Sequence, residues 1–399
     1  PFRLLEPVPA LSCGPADSGN LIVQGDNLHA LKALLPRYAG QVKCVYIDPP
    51  YNTGNEGWAY NDNVNSPEIR KWLGAVVGKE GETLDRHDRW LCMMYPRLLL
   101  LKQFLREDGV IFVSIGDDEV ARLRLLMDEV FSSSKFVAQL IWKSRQNKDN
   151  RNITNVSIDH EYILCYGGNL RGSQRDESQY ANPDNDPRGS WTSANMVGLA
   201  DEKARLNLHY DLIDPVTGIN YGKPAKGWRY DRHTMARLMS EGKVLFPSNP
   251  KGRPRKKQFF SELMTEFTGY SSVVGTDNYT NDGTKELIEI FGETPFDFPK
   301  NTKLLQELIE QATDKDSLIL DSFAGSGTTG HAVLKQNAED GGNRRFILVE
   351  MDEQIATSVT AERVRRVAGG YTNAKGQAVA GLGGGFQFCR LSVEPLFDA

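Results

Sequence analysis

The chain has 399 residues, of which 40% are hydrophobic and 25% charged, enough for a sizeable core and two or three domains. A formal charge of −5 excludes a uniformly basic nucleic-acid binder, and no apolar run approaches the ~18 residues of a membrane span, since the richest, residues 98–101, stops at Lys102. Cys13, Cys44, Cys92, Cys165 and Cys389 are scattered without a CxxC pair, so neither a zinc site nor a disulfide framework is indicated and a reducing cytoplasm is expected.

The chain opens at Pro1 without a charged-then-apolar leader, which reads as a trimmed chain rather than a secreted product. Leu28, Leu31, Leu34 and Leu35 have helical spacing after Asp26, and the apolar run Val42, Val45, Tyr46, Ile47 reads as a buried strand ending at Asp48-Pro49-Pro50-Tyr51. Residues 52–89 are polar, rich in Asn and Gly, and carry Trp58, Tyr60 and Trp72; a long excursion over that strand's mouth, mobile without substrate, is expected. A helix over 90–106, a strand over 110–115, a helix capped by Asp117 and a strand over 161–166 follow, and Gly167-Gly168 marks a boundary. Residues 169–295 lose the alternation and collect basic and aromatic side chains. Helical spacing returns at Leu304, Leu305, Leu308 and Ile309, followed by a strand over 317–321, a glycine turn opening a helix, and a strand over 346–349. Such alternation implies a parallel sheet with helices on both faces.

Chemistry is expected where strands end. An exocyclic amine of a base is a poor nucleophile because its lone pair is delocalised into the ring. Two acceptors that grip both N–H bonds favour its pyramidal, nucleophilic form, and the Asp48 carboxylate and Pro49 carbonyl supply that pair. Tyr51 offers a stacking face to a base taken out of its helix; an ordinary Asp-Pro turn is the bland alternative. Gly325, Gly327 and Gly330 have G-x-G-x-x-G spacing, which by itself suits a dinucleotide equally well. No Lys follows the last glycine, so a nucleoside-triphosphate loop is excluded and the helix N-terminus is left for a carboxylate. Glu350, at the end of the next strand, is placed for ribose hydroxyls. Asp26-Asn27 reads either as a contact to an adenine amino group or as a helix cap. Lys251, Arg253, Arg255, Lys256 and Lys257, with Trp228, Tyr221 and Tyr230 nearby, read as a phosphate-tracking segment or as a solvated loop. The histidines show no metal-ligand pattern, so no metal is expected.

The segments 21–31 (LIVQGDNLHAL), 47–55 (IDPPYNTGN), 296–300, 321–333 (DSFAGSGTTGHAV) and 345–353, with Gly227-Trp228-Arg229, resemble the β-group of DNA amino-methyltransferases, and more particularly the modification (Mod) subunits of type III restriction-modification systems. The resemblance covers nearly the whole chain. It implies an α/β fold, a circularly permuted Rossmann-like methyltransferase sheet (1–168 and 296–399) with an inserted target-recognition domain (169–295). The implied activity is methylation of adenine N6 in double-stranded DNA by S-adenosylmethionine, in the cytoplasm. Asp48, Pro49, Pro50 and Tyr51 would be catalytic. The implied cofactor residues are Asp26 and Asn27 near the adenine, Lys300, Asn301 and Thr302 closing over the cofactor, Asp321, Phe323, Ala324, Gly325, Ser326, Gly327, Thr328 and Thr329 around its methionine end, and Glu350 and Met351 at its ribose. Asn301 stands where the family often has proline. A homodimer and a helicase-nuclease restriction subunit are the implied protein partners, although the chain is shorter than a typical Mod subunit and a solitary enzyme is the alternative. Cytosine N4 as target, a nicotinamide-dependent oxidoreductase, a non-catalytic DNA-recognition subunit, and RNA or a protein amide as acceptor are competing readings. The recognised bases depend on which side chains reach the groove.

Overall fold

Residues 3–53, 86–149 and 154–395 are described by the structure, a computed structural model. Most of the aromatic excursion expected over 52–89, including Trp58, Tyr60 and Trp72, lies outside them. Two compact units divide the chain, residues 1–171 with 270–399, and residues 172–269.

The larger unit is built on ten strands: Leu5–Pro7 (β1), Leu21–Gln24 (β2), Val42–Ile47 (β3), Leu105–Ile115 (β4), Phe136–Trp142 (β5), Glu161–Gly167 (β6), Val273–Val274 (β7), Leu318–Asp321 (β8), Arg345–Glu350 (β9) and Gln387–Leu391 (β10). Among the described residues they form one sheet ordered β1-β10-β2-β9-β8-β3-β4-β6-β5-β7. Strands β10 through β4 in that order run parallel to one another. Its helices are Asn27–Tyr38 (α1), Arg86–Phe104 (α2), Val120–Phe131 (α3), Thr280–Phe291 (α4), Thr302–Ala312 (α5), Thr328–Asp340 (α6) and Glu362–Gly369 (α7).

Successive strand residues point to opposite faces, so a strand covered on both sides is apolar throughout. Val23, Val45 and Leu320 meet Leu31 and Leu34 of α1, Met94 and Leu98 of α2, and Leu123 and Met127 of α3. Their neighbours Ile22, Cys44 and Ile319 face the other way, onto Leu305 and Leu308 of α5, Val333 of α6 and Val364 of α7. Among the described residues no helix is long and apolar enough to cross a membrane.

Three expectations need correction. The sheet is mixed rather than parallel, because β6 runs antiparallel between β4 and β5, and β1 runs antiparallel to β10. Asp117 does not cap α3. Its N-cap is Glu119, which makes no side-chain cap bond because its carboxylate is turned into the core, where it accepts from Asn52 Nδ2 at 2.7 Å. The middle unit ends at 269 rather than 295, because α4 packs Ile290 into the sheet-covering core.

Residues 172–269 have their own core of Met196, Tyr210, Leu212, Trp228 and Met235. Beside it lies a three-stranded antiparallel sheet of Trp191–Asn195, Arg255–Phe259 and Val244–Leu245, the second strand central.

Helix α5 begins at Asn301, which is fully buried; its side chain accepts from Leu304 N–H at 2.9 Å and donates to the Tyr279 carbonyl at 3.1 Å. Asn301→Ala is expected to lower stability by about 1–2 kcal/mol, the usual cost of losing an N-cap, read as a lower urea midpoint at unchanged m-value.

Candidate active site

Strands β3 and β8 are adjacent and parallel, Cys44 opposite Ile319 and Val45 opposite Leu320. The two turns that leave their carboxyl ends therefore emerge side by side, although they are far apart in the chain. One crevice takes in Asp48, Lys300, Asp321, Phe323, Ala324, Gly325, Ser326, Thr328 and Thr329, walled by Tyr46, Phe296, Phe298 and Pro299.

Asp48 has two different oxygens. Oδ2 accepts from Lys300 Nζ at 2.8 Å, whereas Oδ1 is buried with no hydrogen-bond partner among the described residues. Burial raises the Asp48 carboxyl above the ordinary carboxylate range, and the Lys300 ammonium opposes that rise. Lys300 is itself 9% exposed and is shared with Glu161 Oε2 at 3.3 Å. Its Nζ lies 5.1 Å from the centre of the Tyr51 ring, and the Tyr51 hydroxyl donates to the same Glu161 oxygen at 2.7 Å. Asp48, Lys300, Glu161 and Tyr51 thus form one network. Lys300, assigned to the cofactor by resemblance, spends its charge on the acceptor carboxylate.

The Asp-Pro-Pro-Tyr loop is held from behind. The Pro50 carbonyl accepts from Trp90 Nε1 at 2.7 Å, and the Tyr51 ring lies against Gly116, where an added Cβ would stand 3.1 Å from it. Asn52 has a φ of +59°, uncommon for a residue with a side chain. Fully buried Glu119 bonds both Asn52 and His87, and so ties the loop to the start of α2.

Across the crevice, Gly325 and Gly327 adopt φ of +49° and +77°, which glycine reaches at no steric cost. A Cβ on Gly325 would stand 2.9 Å from Phe296, and one on Gly327 would stand 3.1 Å from the Thr360 carbonyl. Hydroxyls hold the turn: Thr360 Oγ1 donates to the Gly325 carbonyl at 2.6 Å, and Thr328 Oγ1 donates to the Lys300 carbonyl at 3.1 Å. Buried Arg363 bonds Ser326 Oγ and Thr328 Oγ1 at 3.1 and 2.8 Å. Asp321 accepts from Phe323 N–H at 2.9 Å and from the Thr329 hydroxyl; burial pushes its carboxyl up to about 7, with Asp48 and Glu350 adding to the rise.

Other expected residues have local duties. Asp26 caps α1, accepting from Leu28 and His29 N–H at 2.9 and 3.2 Å, and its second oxygen pairs with Arg97 at 3.2 Å. Asn27 is buried and donates to the Ser322 carbonyl at 2.8 Å, so its amide braces the glycine turn rather than facing a ligand. Asn301 is consumed as a cap, and Thr302 Oγ1 donates to Glu286 at 2.7 Å, which removes both from the crevice wall. Glu350 is buried, with Oε2 accepting from Gly325 N–H at 2.8 Å and Oε1 from Asp352 N–H at 2.9 Å. Met351, half-buried, offers its carbonyl to Gln24 Nε2 at 3.2 Å.

In the smaller unit the basic run divides. Lys251, Arg253 and Arg255 are exposed, Arg255 bonding Ser193 Oγ at 2.6 Å. Lys256 lies over the Tyr230 ring at 5.6 Å. Lys257 is buried between Asp184 and Asp186, 3.1 Å from the latter, so it is a core ion pair and not a phosphate contact. Trp228 is also core, its indole N–H donating to the Tyr210 carbonyl at 2.9 Å, and offers no stacking face.

An acceptor carboxylate and a glycine cradle at the carboxyl ends of neighbouring parallel strands define an open α/β enzyme fold with one composite ligand crevice. The sequence profile described as DNA methylase matches residues 42–362, and the chain belongs to that family. It is 35% identical over 370 residues to the type III restriction-modification enzyme StyLTI Mod subunit of Salmonella typhimurium, covering 87% of this chain and 54% of the relative. It is 32% identical over 393 residues to the EcoP15I Mod subunit of Escherichia coli, covering 84% and 59% respectively. Against the type II methyltransferase M.KpnI of Klebsiella pneumoniae the identity is 31% over 376 residues, covering 86% of this chain and 83% of the relative. The chain spans little more than half the length of the type III relatives it matches.

Removing the Lys300 charge removes the largest influence that opposes burial of Asp48. In Lys300→Met the Asp48 carboxyl, followed by carbon-13 NMR, is expected to titrate at higher pH than in the wild-type chain. An unchanged titration would mean that the ion pair does not set the charge of Asp48.

Proposed function

We propose that this chain methylates the N6 amino group of adenine in double-stranded DNA, with S-adenosylmethionine as methyl donor. The observation that carries the reading is Asp48 Oδ1, a buried acceptor without a hydrogen-bond partner among the described residues, on a side chain that lines the crevice shared with the glycine turn. A buried carboxylate oxygen without a donor costs free energy, and an exocyclic N–H supplies the missing partner. Tyr51, pinned by Glu161, presents a ring beside it for a base extruded from its duplex.

The cradle fits the proposed cofactor. Its left-handed glycines lead into the N-terminus of α6, where a carboxylate is favoured, and the Glu350 carboxylate lies against the same turn through the Gly325 N–H. When bound, S-adenosylmethionine supplies an electrophilic methyl group on a sulfonium. Asp48 Oδ1 and a backbone carbonyl of the Asp-Pro-Pro-Tyr loop hold the amine for attack. Asp48, raised in pKa by its burial, is the base we assign to the proton that the alkylated nitrogen sheds.

Residues 172–269 are the proposed target-recognition unit, supported by exposed Lys251, Arg253 and Arg255. The Mod relatives support a restriction subunit as partner. Family membership removes the support for a nicotinamide oxidoreductase.

Random-sequence duplex incubated with methyl-labelled cofactor is expected to yield labelled N6-methyladenine on nucleoside analysis. N4-methylcytosine would move the target, and no label despite a tight cofactor complex would overturn the reading. Asp48→Ala is expected to cut incorporation by at least about 100-fold, the scale for removing a group that acts on the reacting atoms. Its calorimetric affinity for S-adenosylhomocysteine should be unchanged, and loss of that affinity would move Asp48 from chemistry to binding.

A further inference from the structure

Phe298 breaks two rules at once. Its backbone φ is +52°, in the left-handed region that bulky residues avoid, and it precedes Pro299, whose ring already restricts the preceding residue toward extended conformations. Its side chain is 81% exposed, although Phe is among the residue types most often buried. Strain of this kind persists only where the surroundings impose it, and it collects at functional sites.

The surroundings do impose it. On one side, a Cβ on Gly283 of α4 would come within 2.3 Å of the Pro299 carbonyl, so glycine there is what lets the segment seat so closely. On the other, the Lys300 carbonyl is held by Thr328 and the Lys300 ammonium by Asp48. The chain is clamped at 299 and 300, and Phe298 is left at the wall of the crevice that Asp48 also lines.

The other aromatic side chains of that wall are committed. Phe296 packs on Gly325, Phe323 is buried, and Tyr46 is buried with its hydroxyl 2.9 Å from Ser114 Oγ. An extruded base loses stacking on both faces, and Tyr51, backed by Gly116 and tied to Glu161, offers a ring to only one. We propose that Phe298 is the stacking residue for the second face of the extruded base, held ready by its strained backbone. This rests on the adenine-methylation reading and adds a substrate contact to it.

A residue kept in a strained conformation for binding separates stability from activity. Phe298→Gly removes the strain and the ring together. In the full chain it is expected to melt at an equal or higher temperature than wild type, yet to lose at least tenfold in kcat/KM for random-sequence duplex, with calorimetric affinity for S-adenosylhomocysteine unchanged. Phe298→Trp, which keeps a stacking face, should retain most of the activity. Unchanged kcat/KM in Phe298→Gly would overturn the proposal, and so would a parallel loss of S-adenosylhomocysteine affinity, which would make the ring a cofactor contact. Failure of the underlying reading looks different, because the wild-type chain would then transfer no methyl group to the duplex.

Discussion

Parallel pairing of β3 with β8 is the constraint from which the rest of the site follows. It carries no side-chain chemistry, yet it sets Asp48 and the turn at Gly325 at the same edge of the sheet with more than half of the chain between them. A parallel neighbour must be reached by a crossover, and here that crossover contains α2, β4, the antiparallel β5 and β6, and the whole of residues 172–269. The insertion is tolerated because both flanks of it return to one sheet. The core on either face of β3 and β8 then makes the relative position of the two turns a matter of packed Val, Ile and Leu rather than of loop conformation.

On that frame the electrostatics are unbalanced by design of the pocket. Lys300 satisfies one oxygen of Asp48, Glu161 shares Lys300 and orients Tyr51, and the second oxygen of Asp48 has no donor among the described residues. Burying a carboxylate is costly unless it is paired, and the Lys300 ion pair offsets part of that cost while leaving the remainder available to a ligand. The glycine turn follows the opposite rule. Nearly every hydroxyl and carboxylate around it is already bonded, by Thr360, Thr328, Arg363, Asp321 and Glu350, so it is a rigid cradle.

What could be read in advance was whatever is local. The Asp48 to Tyr51 motif, the glycine turn and the helices α1 and α5 announce themselves through spacing and special residues, and all lie where the chain pattern indicated. Strand β5 did not, because its half-buried FVAQLIW lacks clean alternation, and β10 is a short strand recognisable only by its pairing with β2. Glu161, Glu119, His87 and Arg363 join the site through tertiary packing, and a lone acidic or basic residue gives no sign of its partner. The same blindness hid two local duties. Asn301 looked like a ligand by position and is a cap, and Lys257 looked like one more charge in a basic run until Asp184 and Asp186 closed on it.

In the proposed reaction the acceptor oxygen of Asp48 and the reactive end of a cofactor seated on the glycine turn face each other across one crevice. A crystal structure with sinefungin, whose amine stands where the sulfonium methyl would be, measures this directly. That amine is expected within about 3–4 Å of the space an amino group bonded to Asp48 Oδ1 would fill, the range of a near-attack arrangement. Sinefungin bound away from Gly325, or seated there with its amine turned from Asp48, would contradict it.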